Sequence, residues 1–198
     1  MTDVSLNSIA QSFATGSVLG ERRAEPVRKH VLPDGALYSG QVRRDLSKQN
    51  RDELVPDGRG KIKWPNGDKY SGRFMAGRPH GEGVKVMTVP EGTTTIEGIF
   101  HNGFACGPGK MNQDNAQGEM EFAYEGDFLA DKPEGFGTEI RPDGTRYEGY
   151  FRKGKKGPKG KMQFGDGNVY HGDFENGQLH GHGRLVNETK KMSYDGEW

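Results

Sequence analysis

Seven copies of one short signature run along the chain: an aromatic residue, any residue, glycine, any residue, then a second aromatic. They begin at Tyr38, Tyr70, Ile96, Tyr124, Tyr147, Tyr170 and Tyr194 and end at Val42, Phe74, Phe100, Phe128, Phe151, Phe174 and Trp198. Aliphatic residues stand in only at Val42 and Ile96. A chain built by repetition folds as one small unit stacked many times, so its function resides on the surface of the stack rather than in a single cleft.

The starts at 124, 147 and 170 lie 23 residues apart and the next step is 24, whereas the earlier steps are 32, 26 and 28. Glycines at the seventh, eleventh and thirteenth places after each start locate the surplus. Gly77/Gly81/Gly83, Gly103/Gly107/Gly109 and Gly177/Gly181/Gly183 fit in full, and Gly135 and Gly137 fit in part. In the first unit Gly58 and Gly60 arrive late, so an insertion lies between Val42 and Gly58; in the second and third units the surplus follows Gly83 and Gly109. The two kinds of insertion fall in different turns and are expected on opposite edges of a sheet.

Within a unit, apolar residues alternate with polar ones, as in Tyr170-His171-Gly172-Asp173-Phe174, which is the period of a strand with one apolar face. A turn such as Asn102-Gly103 or Asn176-Gly177 leads to a second alternating strand, and Asn66-Gly67, Asp143-Gly144 and Asp166-Gly167 join successive units. Each unit therefore reads as a β-hairpin, and hairpins in series make a meander. Glycine inside a strand costs about 0.5–1 kcal/mol relative to alanine. Its recurrence implies that the missing side chain makes room for an aromatic ring lying over the backbone. With 31% hydrophobic residues, 10% aromatic residues and 32 glycines, the chain is poor material for a two-layer core and suits a single sheet that buries rings on its own backbone.

Tyr147-Glu148-Gly149-Tyr150-Phe151 and the run Tyr170-His171-Gly172-Asp173-Phe174-Glu175-Asn176-Gly177-Gln178-Leu179-His180-Gly181-His182-Gly183 closely resemble the MORN repeat, whose pattern is roughly Tyr-Glu-Gly-Glu-Trp, a gap, then Gly-x-x-His-Gly-x-Gly. The resemblance covers about six repeats and a partial seventh over residues 36–198. Departures are Asp131 at the seventh place of its unit, Pro158 at the eleventh, and Val42 and Ile96. It implies an all-β fold: an elongated, single-layer, twisted antiparallel sheet of consecutive hairpins, with about thirteen strands spaced about 4.8 Å apart and hence roughly 60 Å long. Residues 1–35 are read as a largely irregular N-terminal extension in which Val4, Leu6, Ile9 and Phe13 could dock on a partner or on the sheet.

Equal numbers of acidic and basic side chains, 28 of each, leave no net field to draw the chain to nucleic acid. A single cysteine, Cys106, excludes an internal disulfide framework and fits a reducing compartment. No basic start followed by an apolar run marks a secretory signal, so the sequon Asn187-Glu188-Thr189 is read as chance. Gly154-Lys155-Lys156-Gly157-Pro158-Lys159-Gly160-Lys161 superficially suggests a phosphate loop, but its glycine spacing is wrong and Met162 stands where Ser or Thr is needed. His171, His180 and His182 cluster without a cysteine or carboxylate pair at ligand spacing. No catalytic order, cofactor or metal is expected.

Two surfaces remain as candidate sites. One is the ring stripe of Tyr70, Phe74, Tyr124, Phe128, Tyr147, Phe151, Tyr170, Phe174 and Trp198, read chiefly as the device that holds hairpins together and also as the lining of a partner-binding groove. The other is the densest run of positive charge, Arg152, Lys153, Lys155, Lys156, Lys159 and Lys161, suited to anionic phospholipid or an acidic partner. Members of the resembled family occur in ciliary radial-spoke heads, cytoskeletal assemblies, membrane junctions and beside lipid kinase or methyltransferase domains. The sequence holds no such domain after Trp198, so the resemblance favours a stand-alone, non-catalytic scaffold of a cytoskeletal or axonemal complex, cytoplasmic in location. Its expected contacts are the groove, the insertions near 43–57 and 110–121, and an open C-terminal edge that also allows self-association.

Overall fold

The computed structural model describes residues 23–45 and 53–198. They form one antiparallel sheet of fourteen strands in which spatial order equals sequence order. The strands are β1 (Arg23–Val31), β2 (Leu37–Arg44), β3 (Leu54–Lys63), β4 (Lys69–Met75), β5 (Arg78–Val89), β6 (Gly92–His101) and β7 (Phe104–Asn115). They continue through β8 (Met120–Leu129), β9 (Lys132–Ile140), β10 (Arg146–Arg152), β11 (Lys155–Gln163), β12 (Val169–Glu175), β13 (Gln178–Asn187) and β14 (Met192–Glu197). The meander of hairpins is as the repeat predicts. The sheet gains one strand over the expected thirteen because β1, inside the segment read as irregular, pairs with β2 from Arg23 to Val31. Pro26, two breaks in register and Lys29 at φ 50° make β1 an irregular edge, which discourages further pairing. Val4, Leu6, Ile9 and Phe13 lie outside the described residues, as does 46–52 of the first insertion.

The two kinds of turn fall on opposite edges, and their chemistry differs. Ala76-Gly77, Asn102-Gly103, Ala130-Asp131, Lys153-Gly154 and Asn176-Gly177 close the hairpins with positive φ at both central residues, as a two-residue turn between twisted strands requires. Asp131 takes φ 65° where other units have glycine, so the turn survives that substitution. The loops between units are wider. Of Asn66-Gly67, Asp143-Gly144 and Asp166-Gly167, only the glycines take positive φ. The Asn or Asp side chain instead accepts a backbone N–H two residues on, as from Asp68, Thr145 and Asn168. At Asp143 the Thr145 backbone N–H holds the carboxyl below its usual range.

Each hairpin carries a bulge just after its central glycine, for example between Gly72 and Phe74 and between Gly149 and Phe151. The eleventh-place glycine of the partner strand lies there and takes positive φ, as at Gly81 (66°) and Gly181 (56°). That accounts for a recurring glycine that makes no room for a ring. The surplus after Gly83 and Gly109 lengthens β5 and β7 to 12 residues each, widening the middle of the sheet along the between-unit edge.

Candidate binding surfaces of the sheet

Rings and glycines share the inner face. The Tyr147 ring crosses the paired Gly149 and Gly160, and a Cβ on Gly160 would lie 2.5 Å from the Tyr147 Cε2 atom. No side chain fits there, which answers why strand interiors keep glycine. From this position each phenol donates to the carbonyl three residues on: Tyr70 to Arg73 (3.0 Å), Tyr124 to Asp127 (2.8 Å), Tyr147 to Tyr150 (2.8 Å) and Tyr170 to Asp173 (2.9 Å). Burial pushes the Tyr38, Tyr70 and Tyr147 phenols up to about 12, and Tyr124 further.

The rings meet edge to face. One ladder runs Tyr38, Phe74, Tyr70, Phe100 at centroid separations of 5.0–5.2 Å. A second runs from Phe128 through Tyr124, Phe151, Tyr147, Phe174 and Tyr170 to Trp198 and Tyr194 at 4.8–5.3 Å. Ile96 is where the ladders part, because an aliphatic side chain offers no edge to Phe100 or Phe128. Across that gap Lys85 reaches Asp131 Oδ2 at 2.6 Å, while Asp131 Oδ1 accepts the Ala105 N–H at 2.7 Å. An ion pair between β5 and the β8–β9 turn thus ties together the units that the rings leave unlinked.

The ring stripe is therefore not an open groove. Tyr70, Phe74, Tyr124, Phe128, Tyr147, Phe151, Tyr170 and Phe174 are all buried, packed against one another and the backbone, and only Trp198 keeps 38% of its surface. The open trough lies on the opposite, outer face, over the backs of the glycines. Its largest section, about 930 Å³, is lined by Arg28, Arg59, Lys61, Arg73, Glu82 and Glu97 around a floor of Gly40, Gly60, Gly72, Gly83 and Gly98. A smaller section continues past Lys110, Asp127 and Phe136, and beside Phe136 an exposed Tyr150 meets it edge to face at 5.7 Å.

The lysine-rich hairpin also divides. Lys156 turns to the inner face, where its ammonium lies 2.7 Å from Glu139 and 5.5 Å from the centre of the Tyr147 ring. Both partners are largely buried, so Lys156 is a packing residue. Lys159 pairs with Asp173 at 3.3 Å, and Lys155 reaches Asn176. Arg152 and Lys153 share the hairpin end with Asp173 and Glu175. Lys161 stands between Glu148 and His171. The run is free of acids along the sequence, but the sheet sets the carboxylates of neighbouring strands beside it. His180 faces Glu175 and His182 faces Glu197, and no metal-ligating cluster occurs among the described residues. The Asn187 amide is buried and donates to Asn168, so the sequon is not presented.

A ladder of hairpins that zips rings over glycine pairs on one face and leaves a trough on the other defines a single-layer repeat sheet. The MORN repeat model matches residues 55–69, 70–87, 97–113, 124–146, 147–169 and 170–188, and the chain belongs to the MORN-repeat family. The chain is also similar to Alsin of Homo sapiens and Alsin of Mus musculus, each 27% identical over 133 residues. That match covers 65% of this chain and 6% of Alsin, so the likeness concerns one small part of a much longer protein.

Proposed function

We propose that the chain is a non-catalytic scaffold module that binds partner proteins within a larger cytoskeletal or axonemal assembly, on the cytoplasmic side of the cell. MORN repeats commonly mediate contacts with proteins or membranes. The observation that carries the reading is the division of labour between faces: the inner one is largely taken up by ring packing, and the outer one offers a long trough rimmed by charged side chains over a glycine floor. Such a surface suits an extended or helical protein segment laid along it.

Detergent extraction of cells carrying the tagged chain tests the assembly reading. Retention in the insoluble cytoskeletal fraction supports it, and complete release with soluble proteins removes it. The phospholipid reading for the lysine-rich hairpin has less support, since Lys156 is buried and Lys159 is ion-paired. Sedimentation with phosphatidylserine vesicles tests that reading. Loss of vesicle binding in Lys153→Gln/Lys155→Gln/Lys159→Gln, with Lys156 left in place to preserve the fold, would restore it.

A further inference from the structure

Six residues of β3 and β4 project from the outer face: Arg59, Lys61 and Lys63 on one strand, Lys69, Ser71 and Arg73 on the other. Five are cations. The register sets Arg59 directly against Arg73 and Lys63 directly against Lys69, with Lys61 against Ser71 between them. Like charges directly opposed across strands destabilise a sheet. Among the described residues, none of these five side chains has an ion pair or hydrogen-bonded carboxylate, whereas Lys155, Lys156 and Lys159 of the fifth unit each have a polar partner.

The repulsion sits at the mouth of the largest section of trough. Arg59, Lys61 and Arg73, joined by Arg28 from β1, line one end, while Glu82, Glu97, Val84 and Ile99 line the other. The trough is thus polarised, positive over β3–β4 and negative with two apolar side chains over β5–β6. Deepening the scaffold reading above, on which this inference rests, we infer that this section is a docking site for an acidic segment of a partner protein. The segment's carboxylates lie over Arg59, Lys61 and Arg73, and an apolar residue that follows them seats against Val84 and Ile99. The charge pattern also orients the segment, because its carboxylates are repelled from Glu82 and Glu97. A bilayer fits less well, since a uniformly anionic headgroup surface laid over the trough would also meet Glu82 and Glu97.

The probe is a fluorescein-labelled synthetic peptide of alternating Glu and Ala ending in Leu, with its Lys counterpart as control, titrated against the full chain by fluorescence anisotropy. The acidic peptide is expected to bind, more weakly as salt rises, and the basic one not. Arg59→Gln/Lys61→Gln/Arg73→Gln should weaken binding roughly tenfold or more, while Lys155→Gln/Lys159→Gln/Lys161→Gln leaves it unchanged. Glu82→Gln/Glu97→Gln should tighten it, an opposite sign that loss of fold cannot imitate. Absence of acidic-peptide binding overturns the proposal, as does equal loss in both lysine and arginine variants. So does binding of phosphatidylserine vesicles through Arg59 and Arg73 with no binding of the peptide. If the peptide fails while the tagged chain stays with the cytoskeleton, the docking site falls and the scaffold reading stands.

Discussion

The two faces of the same strands treat charge in opposite ways. On the inner face, each charge that enters the apolar columns brings a partner: Lys85 stands opposite Tyr70, where other units place Ile62, Met111 or Met162, and it pairs with Asp131. Lys156 stands opposite Phe151, where other units place Pro79 or Pro133, and it pairs with Glu139. On the outer face of β3 and β4, cations stand opposite cations with no counter-charge. The inner face decides whether the sheet forms. The outer face keeps a repulsion that folding alone would not favour, and a ligand can relieve it.

The largest effect on that contrast should come from alkali. The Tyr38, Tyr70 and Tyr147 phenols sit at about 12, against an ordinary value near 10, because burial disfavours the phenolate. A phenol in the unfolded chain ionises at lower pH than in the sheet, so the unfolded state sheds protons first as pH rises. The stability from keeping these rings neutral is complete below pH 10 and is lost between about 10 and 12. Circular dichroism and phenolate absorbance followed together should change in one step. Ionisation of these phenols near pH 10 with the sheet intact would remove the packing account of the inner face.

Phe151→Ala comes next. The ring is 4% exposed and touches Tyr124 and Tyr147 at 4.8 and 5.1 Å, so its removal cuts the second ladder in the middle. The expected loss is about 3–5 kcal/mol, read from urea unfolding. An unchanged midpoint would contradict it.

Asp131→Asn tests whether the ion pair joins the two ladders. The amide can still accept the Ala105 N–H and suits the turn, but it leaves the Lys85 ammonium without its counter-charge. Breaking one side of a fully buried pair costs about 3–5 kcal/mol, and the residual exposures of 14% and 16% bring the expectation to about 2 kcal/mol. In a stack whose units touch only neighbours, weakening one interface also loosens the coupling between halves. Trp64, in the β3–β4 turn, and Trp198, on the far ladder, report the two halves separately. Their unfolding curves should coincide in the parent and separate in Asp131→Asn. Coincident curves in both would show that the backbone ladder alone carries the coupling.

Most of the fold was legible because period-two alternation and Asn-Gly turns act within a few residues. Ring-over-glycine packing was legible too, since Tyr147 and Gly149 are neighbours on one strand and the partner Gly160 recurs at a fixed distance. What escaped depends on register between strands. Asp131 looked like a defect in its own unit, but its partner Lys85 lies 46 residues away. The Lys155–Lys161 run looked like an exposed patch because Glu139 and Asp173 approach it only across the sheet. How completely the ring stripe is closed off escaped as well, because burial of a ring against a glycine backbone needs no second layer. One signal for the outer site was present: Arg59, Lys61, Lys63, Lys69 and Arg73 all stand at odd spacing from the buried Ile62 and Tyr70.

The smallest effect has the most diagnostic sign. Arg59→Gln with Arg73→Gln removes two exposed side chains that have no partner to lose and lie directly opposite each other. Removing cross-strand repulsion should raise stability by about 0.2–1 kcal/mol. Screening at high ionic strength already weakens that repulsion in the parent, so the gain in urea midpoint should be largest at low salt and shrink as salt is added. A variant less stable than the parent would mean that these arginines hold the sheet through their stems. A gain that ignores salt would trace to packing instead. A salt-dependent gain, paired with weaker binding of the acidic peptide, would show the same two charges opposing the fold and serving the trough.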